Sequence, residues 1–277
     1  MRPEAYQFEK LSDTLEICVS DAHKFGTDAF LLSHFARARR IDRCADLGTG
    51  CGIVALLWYR DREVGPVHTD CVDIQPLAIH QLEVTVERAG LQDRVRPILG
   101  DIRRLTGISR ESLDLVTCNP PYKAPGSGII SAQESDKIAR HETMCSLDDL
   151  CAAAARLLKF GGRLCICQRP ERLCDAICAM RDHGLEPKRL RFVTQRPGRP
   201  PWLFLLEGKK GAKPFLQVEK DLIIEGPVSY THLEAALGGA GEVQSSDQIT
   251  HEGRDLEHTQ RQCSHGKDNN PQDYPAG

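Results

Sequence analysis

Aromatic side chains are scarce in this chain: two Trp, five Tyr and eight Phe make up only 5% of 277 residues. Its apolar bulk falls to Leu, Ile and Val, and a hydrophobic fraction of 40% supports a real core in one generous domain or a domain with an appendage. Uninterrupted apolar runs are missing too. Arg, Glu and Asp break every segment long enough to be weighed as a membrane span, and no signal peptide opens the sequence, so a cytoplasmic protein without membrane contact is expected. Cysteine is plentiful at twelve, but a Cys-x-x-Cys pair is absent. Cys44, Cys51, Cys71, Cys118, Cys165 and Cys167 lie in or beside apolar strands, and Cys151, Cys174 and Cys178 in helical patterns. The thiols are therefore read as small hydrophobes in a reduced compartment, with no metal site. A strong net charge is also lacking, at −3, although the distribution is uneven. Residues 156–213 carry 14 Lys/Arg against 5 Asp/Glu, whereas residues 226–277 carry 3 against 8. The basic stretch suits either a polyanion or a plain solubilising face.

What is present is a repeating order of elements. Leu15–Val19 reads as a short strand, and Ala29–Ala36 as a helix with Asp28 as its cap. Strands are expected at 41–47, 67–73, 95–99 and 113–118, with helices at 53–59 and 76–90, the latter opened by Pro76 and closed by Gly90. Ser146 and Asp149 suggest a capping box. Behind it Leu147, Leu150, Ala154, Leu157 and Leu158 form one helical stripe, stopped by Gly161-Gly162. A strand at 164–167, a helix at 172–183 and two strands at 190–194 and 202–206 follow, the last two as an antiparallel edge hairpin. This is the rhythm of a mainly parallel sheet with helices on both faces. Three segments result: 1–40, a strand and helix laid on the cofactor site; 41–225, the main domain; and 226–277, whose Gly, Ser, Gln, Asn and Asp cannot repay the entropy of ordering.

Chemistry concentrates at the carboxyl ends of the expected strands. Asp46-Leu47-Gly48-Thr49-Gly50-Cys51-Gly52 is a glycine turn whose backbone can approach a ligand, because Gly48, Gly50 and Gly52 carry no Cβ. It differs from the dinucleotide fingerprint, and Asp46 would repel a phosphate but suit an ammonium and a sulfonium. Asp73 ends the next strand, where it can take two ribose hydroxyls. Asp101 follows the third and can accept from an adenine amine, between Ile74 and Ile102. S-adenosylmethionine fits this set. NAD is the rival, since Asp73 would serve its ribose equally well. About seventy residues after the turn, Asn119-Pro120-Pro121-Tyr122 closes an apolar strand. The Asn119 side-chain oxygen and the Pro120 carbonyl can accept both hydrogens of a flat NH₂ group, and Tyr122 offers a ring to stack on it. Methyl transfer to nitrogen then needs alignment more than a strong base. Against this stands the plain reading that two prolines stiffen a loop, which leaves Asn119 and Tyr122 without a task.

The tetrapeptide resembles that of the amino-methyltransferases acting on adenine N6, cytosine N4, guanine N2 or glutamine amide. With residues 21–33 (DAHKFGTDAFLLS), Gly100-Asp101-Ile102 and Ala139-Arg140-His141-Glu142, residues 6–225 look like the bacterial tRNA(Val) adenosine-37 N6-methyltransferase family. The resemblance implies an α/β, Rossmann-like class I methyltransferase fold with a mainly parallel seven-stranded sheet and an antiparallel C-terminal hairpin. It implies that Gly26, Thr27 and Asp28 close over S-adenosylmethionine, and that Asp46, Gly48, Gly50 and Gly52 surround its methionine end. Asp73 would take the ribose, Asp101 the adenine, and Asn119, Pro120, Pro121 and Tyr122 the target base of a tRNA. Arg140 could meet a phosphate of a flipped nucleotide, with 123–133 as a loop over it. The family usually ends in an ordered segment, from which the sequence departs after Glu225. A monomer is expected.

Rival readings stay open at this point. Glutamine methylation of release factors uses the same grip, but only 45 residues precede Asp46, too few for the helical recognition domain of those enzymes. Guanine-N2 methylation of ribosomal RNA suits the basic stretch as well. A non-catalytic RNA-binding module with a methyltransferase fold would bind RNA without turnover. A dehydrogenase is weaker still, since no Tyr-x-x-x-Lys pair follows the expected strand.

Overall fold

Alternation along the strands sorts the core into two layers in the computed structural model, which describes residues 6–20, 25–61, 64–120 and 145–224. A hairpin of β1 (Gln7–Lys10) and β2 (Glu16–Val19) stands apart from the main sheet. After α1 (Thr27–Ala36) come β3 (Arg43–Leu47), α2 (Ile53–Leu56), β4 (His68–Asp73), α3 (Pro76–Ala89), β5 (Val95–Leu99) and β6 (Leu113–Cys118). The second half supplies α4 (Leu147–Leu157), β7 (Leu158–Gln168), α5 (Leu173–Asp182), β8 (Leu185–Thr194) and β9 (Leu203–Lys210), then β10 (Gln217–Val218) and β11 (Leu222–Ile223). Cys44, Cys71, Leu115, Cys165 and Cys167 face one core with residues of α1, α2, α3 and β2. Their strand neighbours Ala45, Val72, Val116, Leu164 and Ile166 face a second core under α4 and α5. Period-two alternation in a sheet covered on both sides produces this division.

The strands run β10-β8-β9-β7-β6-β3-β4-β5, with β11 also on β8. The β3–β4, β4–β5, β3–β6 and β6–β7 pairs are parallel, and β9 is antiparallel to both β7 and β8. The sheet therefore has nine strands instead of the expected seven. The two additional pieces are two residues each and lie parallel to β8, so the antiparallel hairpin is present but β8 is not an edge. Pieces that short carry no readable alternation. From β3 the chain winds outward through β4 and β5, then returns to place β6 on the other side of β3. That reversal opens a crevice at the carboxyl ends of β3 and β6, where α/β sheets bind ligands.

Two local expectations are corrected. Gly26, not Asp28, is the N-cap of α1, and Asp28 sits inside the first turn. A Cβ on Gly26 would fall 2.7 Å from the Asp28 carboxylate, so the extended glycine gives that side chain room to fold back. Helix α4 keeps its Ser146–Asp149 capping box but stops at Leu157. Leu158, with φ −70° and ψ 135°, opens β7, which continues beyond Gly161-Gly162 after a shift in its register against β6 between Leu113 and Leu115, with Gly161 at φ 79°. A Cβ on Gly162 would come within 3.0 Å of the Leu113 carbonyl, so this glycine permits close strand passage instead of ending a helix. The cysteine reading needs one amendment: Cys174 and Cys178 are exposed on α5, whereas Cys44, Cys51, Cys71, Cys118, Cys151, Cys165 and Cys167 are buried. No helix among the described residues is long and apolar enough to cross a membrane.

Candidate active site

The turn after β3 is built by three left-handed glycines, with φ of 70° at Gly48, 56° at Gly50 and 91° at Gly52. Its amides are spent within the protein. Gly48 and Thr49 donate to the Val72 carbonyl at 2.8 and 3.0 Å, Gly52 donates to the Thr49 carbonyl, and Gly50 donates to Asp73 at 2.8 Å. The turn thus brings bare backbone to a ligand but does not aim these four N–H groups at one. Above it lies a cavity of about 200 Å³ lined by glycine-turn residues, by Phe25, Gly26, Asp28 and Ala29 at the start of α1, and by Asp46 and Asn119. A Cβ on Gly50 would meet nothing within 4 Å, which marks open space for a ligand.

The lining has a definite charge. Among the described residues it includes Asp28 and Asp46 but no Lys or Arg. A pyrophosphate would find carboxylates and spent amides, whereas the ammonium and sulfonium of S-adenosylmethionine would be stabilised. The cavity is smaller than most sites for a ligand of this size.

Asp46 is 1% exposed, with its oxygens accepting 2.7 Å bonds from the Thr49 and Thr117 hydroxyls. Burial pushes its carboxyl up to about 6; the two hydroxyls oppose that shift and the nearby charge of Asp73 adds to it. Asp73 accepts from the Gly50 and Gln75 amides at 2.8 and 2.9 Å, so it ties the turn to β4. Asp101 caps the short turn at 102–104, and Arg103 grips its carboxylate at 2.6–3.0 Å, holding it below the usual range. An adenine amine would have to share that carboxylate. Ile74 is 46% exposed and free to flank a base, while Ile102 is 9% exposed and packs mainly into the second core.

Asn119, one residue beyond β6, donates from Nδ2 to Asp28 Oδ2 at 3.0 Å and accepts from the Cys167 thiol at 3.1 Å. Gly26, Asp28, Asp46, Gly48, Gly50 and Asn119 therefore meet at one cavity. Asp73 reaches it through Gly50, and Asp101 stands further along the sheet edge. Pro120 follows Asn119, whereas Pro121, Tyr122, Arg140, His141 and the 123–133 segment lie outside the described residues, as do 226–277. Thr49, Thr117, Arg103 and Cys167 were not singled out from sequence. The bonds of Thr117 and Cys167 depend on strand register, which no local motif reveals; Arg103 had a local signal, an Asp-x-Arg directly after a strand.

A family model described as "Methyltransferase small domain" matches residues 20–182. The chain is 31% identical over 194 residues to the tRNA1(Val) (adenine(37)-N6)-methyltransferase of Tolumonas auensis, covering 69% of this chain and 79% of that protein. It is 28% identical over 202 residues to the Parabacteroides distasonis protein of the same name, covering 73% and 82%. Among solved structures, a predicted O-methyltransferase of Agrobacterium tumefaciens aligns with a TM-score of 0.58 at 19% identity, over 78% of this chain and all of that one. That last likeness is one of fold.

Proposed function

The chain belongs to the small-domain methyltransferases, and within them to the tRNA1(Val) (adenine(37)-N6)-methyltransferase family; on that premise we propose that it methylates N6 of adenosine 37 in valine tRNA. Its cofactor is S-adenosylmethionine, which when bound supplies an electrophilic methyl group on a sulfonium. The observation that carries the reading is the cavity where Asn119 meets the glycine turn between two carboxylates. Asn119 Oδ1 and the Pro120 carbonyl would accept the two hydrogens of the target amine and turn its lone pair toward the methyl. The nitrogen takes the methyl as the sulfur–carbon bond breaks to leave a neutral thioether, and the extra proton on the nitrogen passes to solvent water; no strong base is needed, and proximity supplies most of the acceleration. Asp46 would favour the cationic end of the cofactor and Asp73 its ribose. Asp101 would serve the adenine between Ile74 and Ile102, and Pro121 and Tyr122 would complete the grip on the base.

Topology supports an RNA face. The β8–β9 loop lies at the same carboxyl edge as Asn119, because β9 runs antiparallel to β7 and β8. It carries exposed Arg196 and Arg199, with Arg169 and Arg172 just past the end of β7. In this proposal the protein acts as a monomer in the cytoplasm, without metal, through residues 41–225 and the cofactor-covering part of 1–40. The deciding experiment is methyl transfer from labelled S-adenosylmethionine to unmodified bulk tRNA, with nucleoside analysis and mapping. N6-methyladenosine at position 37 of valine tRNA is expected. A labelled guanine in ribosomal RNA, with tRNA untouched, would overturn the substrate.

A further inference from the structure

The Asn119 amide is held at both ends. Its NH₂ donates to Asp28 Oδ2 at 3.0 Å, its oxygen accepts from the Cys167 thiol at 3.1 Å, and the other Asp28 oxygen accepts from the Ala29 amide at 3.0 Å. We infer that Asp28 is the positioning residue that fixes which end of the Asn119 amide faces the target nitrogen. This rests on the reading that Asn119 grips that nitrogen.

An asparagine side chain has two nearly isosteric orientations, and only one presents an acceptor to an amine. In the other, NH₂ meets NH₂, and both donors lose water without gaining a bond. A carboxylate accepts and never donates, so Asp28 selects the orientation in which NH₂ points toward α1 and oxygen points away. The bond is charge-assisted, which draws hydrogen-bonding electron density through the amide toward Oδ1 and makes it a better acceptor. The first turn of α1 holds Asp28 in place, since an anion there is favoured by the helix N-terminus and by the Ala29 amide. A carbonyl oxygen can accept twice, so the thiol bond and a bond from a substrate amine are compatible. The consequence is specificity: the site is set for a base edge carrying an amino group, and a keto edge would face a repelling oxygen. The short sequence Gly26-Thr27-Asp28 is thereby joined to Asn119, 91 residues away.

Four proteins test this: wild type, Asp28→Asn, Asn119→Asp and the double variant. Asparagine at 28 has one acceptor oxygen for two tasks, so at saturating cofactor Asp28→Asn is expected to lose about tenfold in kcat while KM for tRNA stays within about twofold; loss of its charge from the cavity should weaken cofactor binding besides. Asn119→Asp sets two carboxylates face to face and should lose about a hundredfold. In the double variant the donor and acceptor exchange places: the NH₂ at 28 donates to the carboxylate at 119, and its oxygen keeps the Ala29 amide. Recovery of at least about tenfold over Asn119→Asp alone is expected, a rescue that a merely structural role would not give. A double variant no better than Asn119→Asp, or Asp28→Asn at wild-type kcat, overturns the inference. Thermal unfolding of the same four proteins needs no substrate. If wild type methylates no tRNA, the substrate reading fails by itself; the pairing is then judged on Tm, where shifts that simply add overturn it and recovery in the double variant upholds it.

Discussion

Asp46 keeps a carboxyl group in the core, supported by the Thr49 and Thr117 hydroxyls, and that arrangement has a pH signature. Its carboxyl is raised from an ordinary 3.8 to about 6, with burial as the main cause. The fold therefore holds a proton that the unfolded chain has released. Stability from this group is fully present below about pH 4 and is lost as pH rises through about 6, on the order of 3 kcal/mol in all. Binding a cation works the other way, because it favours the ionised form. Cofactor affinity measured by calorimetry should climb from about pH 5 to about pH 6.5 and then level off, and Asp46→Asn should be weaker and flat. An unchanged slope in that variant would remove Asp46 from the cation's surroundings. Asn119 offers the complementary case. Asn119→Ala should leave cofactor affinity nearly unchanged while cutting methyl transfer about 10²–10³-fold, or roughly 3–4 kcal/mol; near-wild-type turnover would refute its grip on the amine.

At the scale of elements, the glycine turn separates shape from ligand approach. Gly50 and Gly52 both need a left-handed backbone, which costs an L-residue about 1–2 kcal/mol. They differ in surroundings: a Cβ on Gly52 would strike Leu82 Cδ1, whereas one on Gly50 would enter open space. Gly52→Ala should therefore lower Tm more than Gly50→Ala, while Gly50→Ala should lose cofactor affinity out of proportion to its Tm. Equal losses in both properties would show that the turn serves shape alone. This turn was legible in the sequence because Gly spacing after an apolar strand is a local signal, and so was the capping box at Ser146. The nine-strand count and the early end of α4 were not. Gly161-Gly162 reads identically whether it stops a helix or lets β7 slide past the Leu113 carbonyl, and only the pairing partner decides. Asp28 was recognisable as belonging to the site, but its bond to Asn119 required the fold to bring α1 over β6.

For the whole molecule, the basic stretch at 156–213 divides by sheet edge. Arg196 and Arg199 stand at the carboxyl edge with the site, and Lys209 and Lys213 follow β9 to the opposite edge. Arg163 and Arg189 are committed to Glu207 at 3.1 and 2.7 Å. Reversing Arg196 and Arg199 to Glu should weaken tRNA binding and reduce its salt slope by about one for each phosphate no longer neutralised. Reversing Lys209 and Lys213 should leave both unchanged, and equal effects from the two pairs would return the stretch to general solubility. Beneath that surface, Asp46 and Thr117 face each other across the β3–β6 ladder, with Gly48 and Asn119 each two residues further along. The glycine turn and Asn119 are thus set apart by a single rung of one sheet, a spacing of about 4.8 Å that no loop has to measure. Sliding β6 by one residue would shift Asn119 about 3.3 Å and turn it to the opposite face, so the seat of Asn119 against the glycine turn is written into the register of two strands.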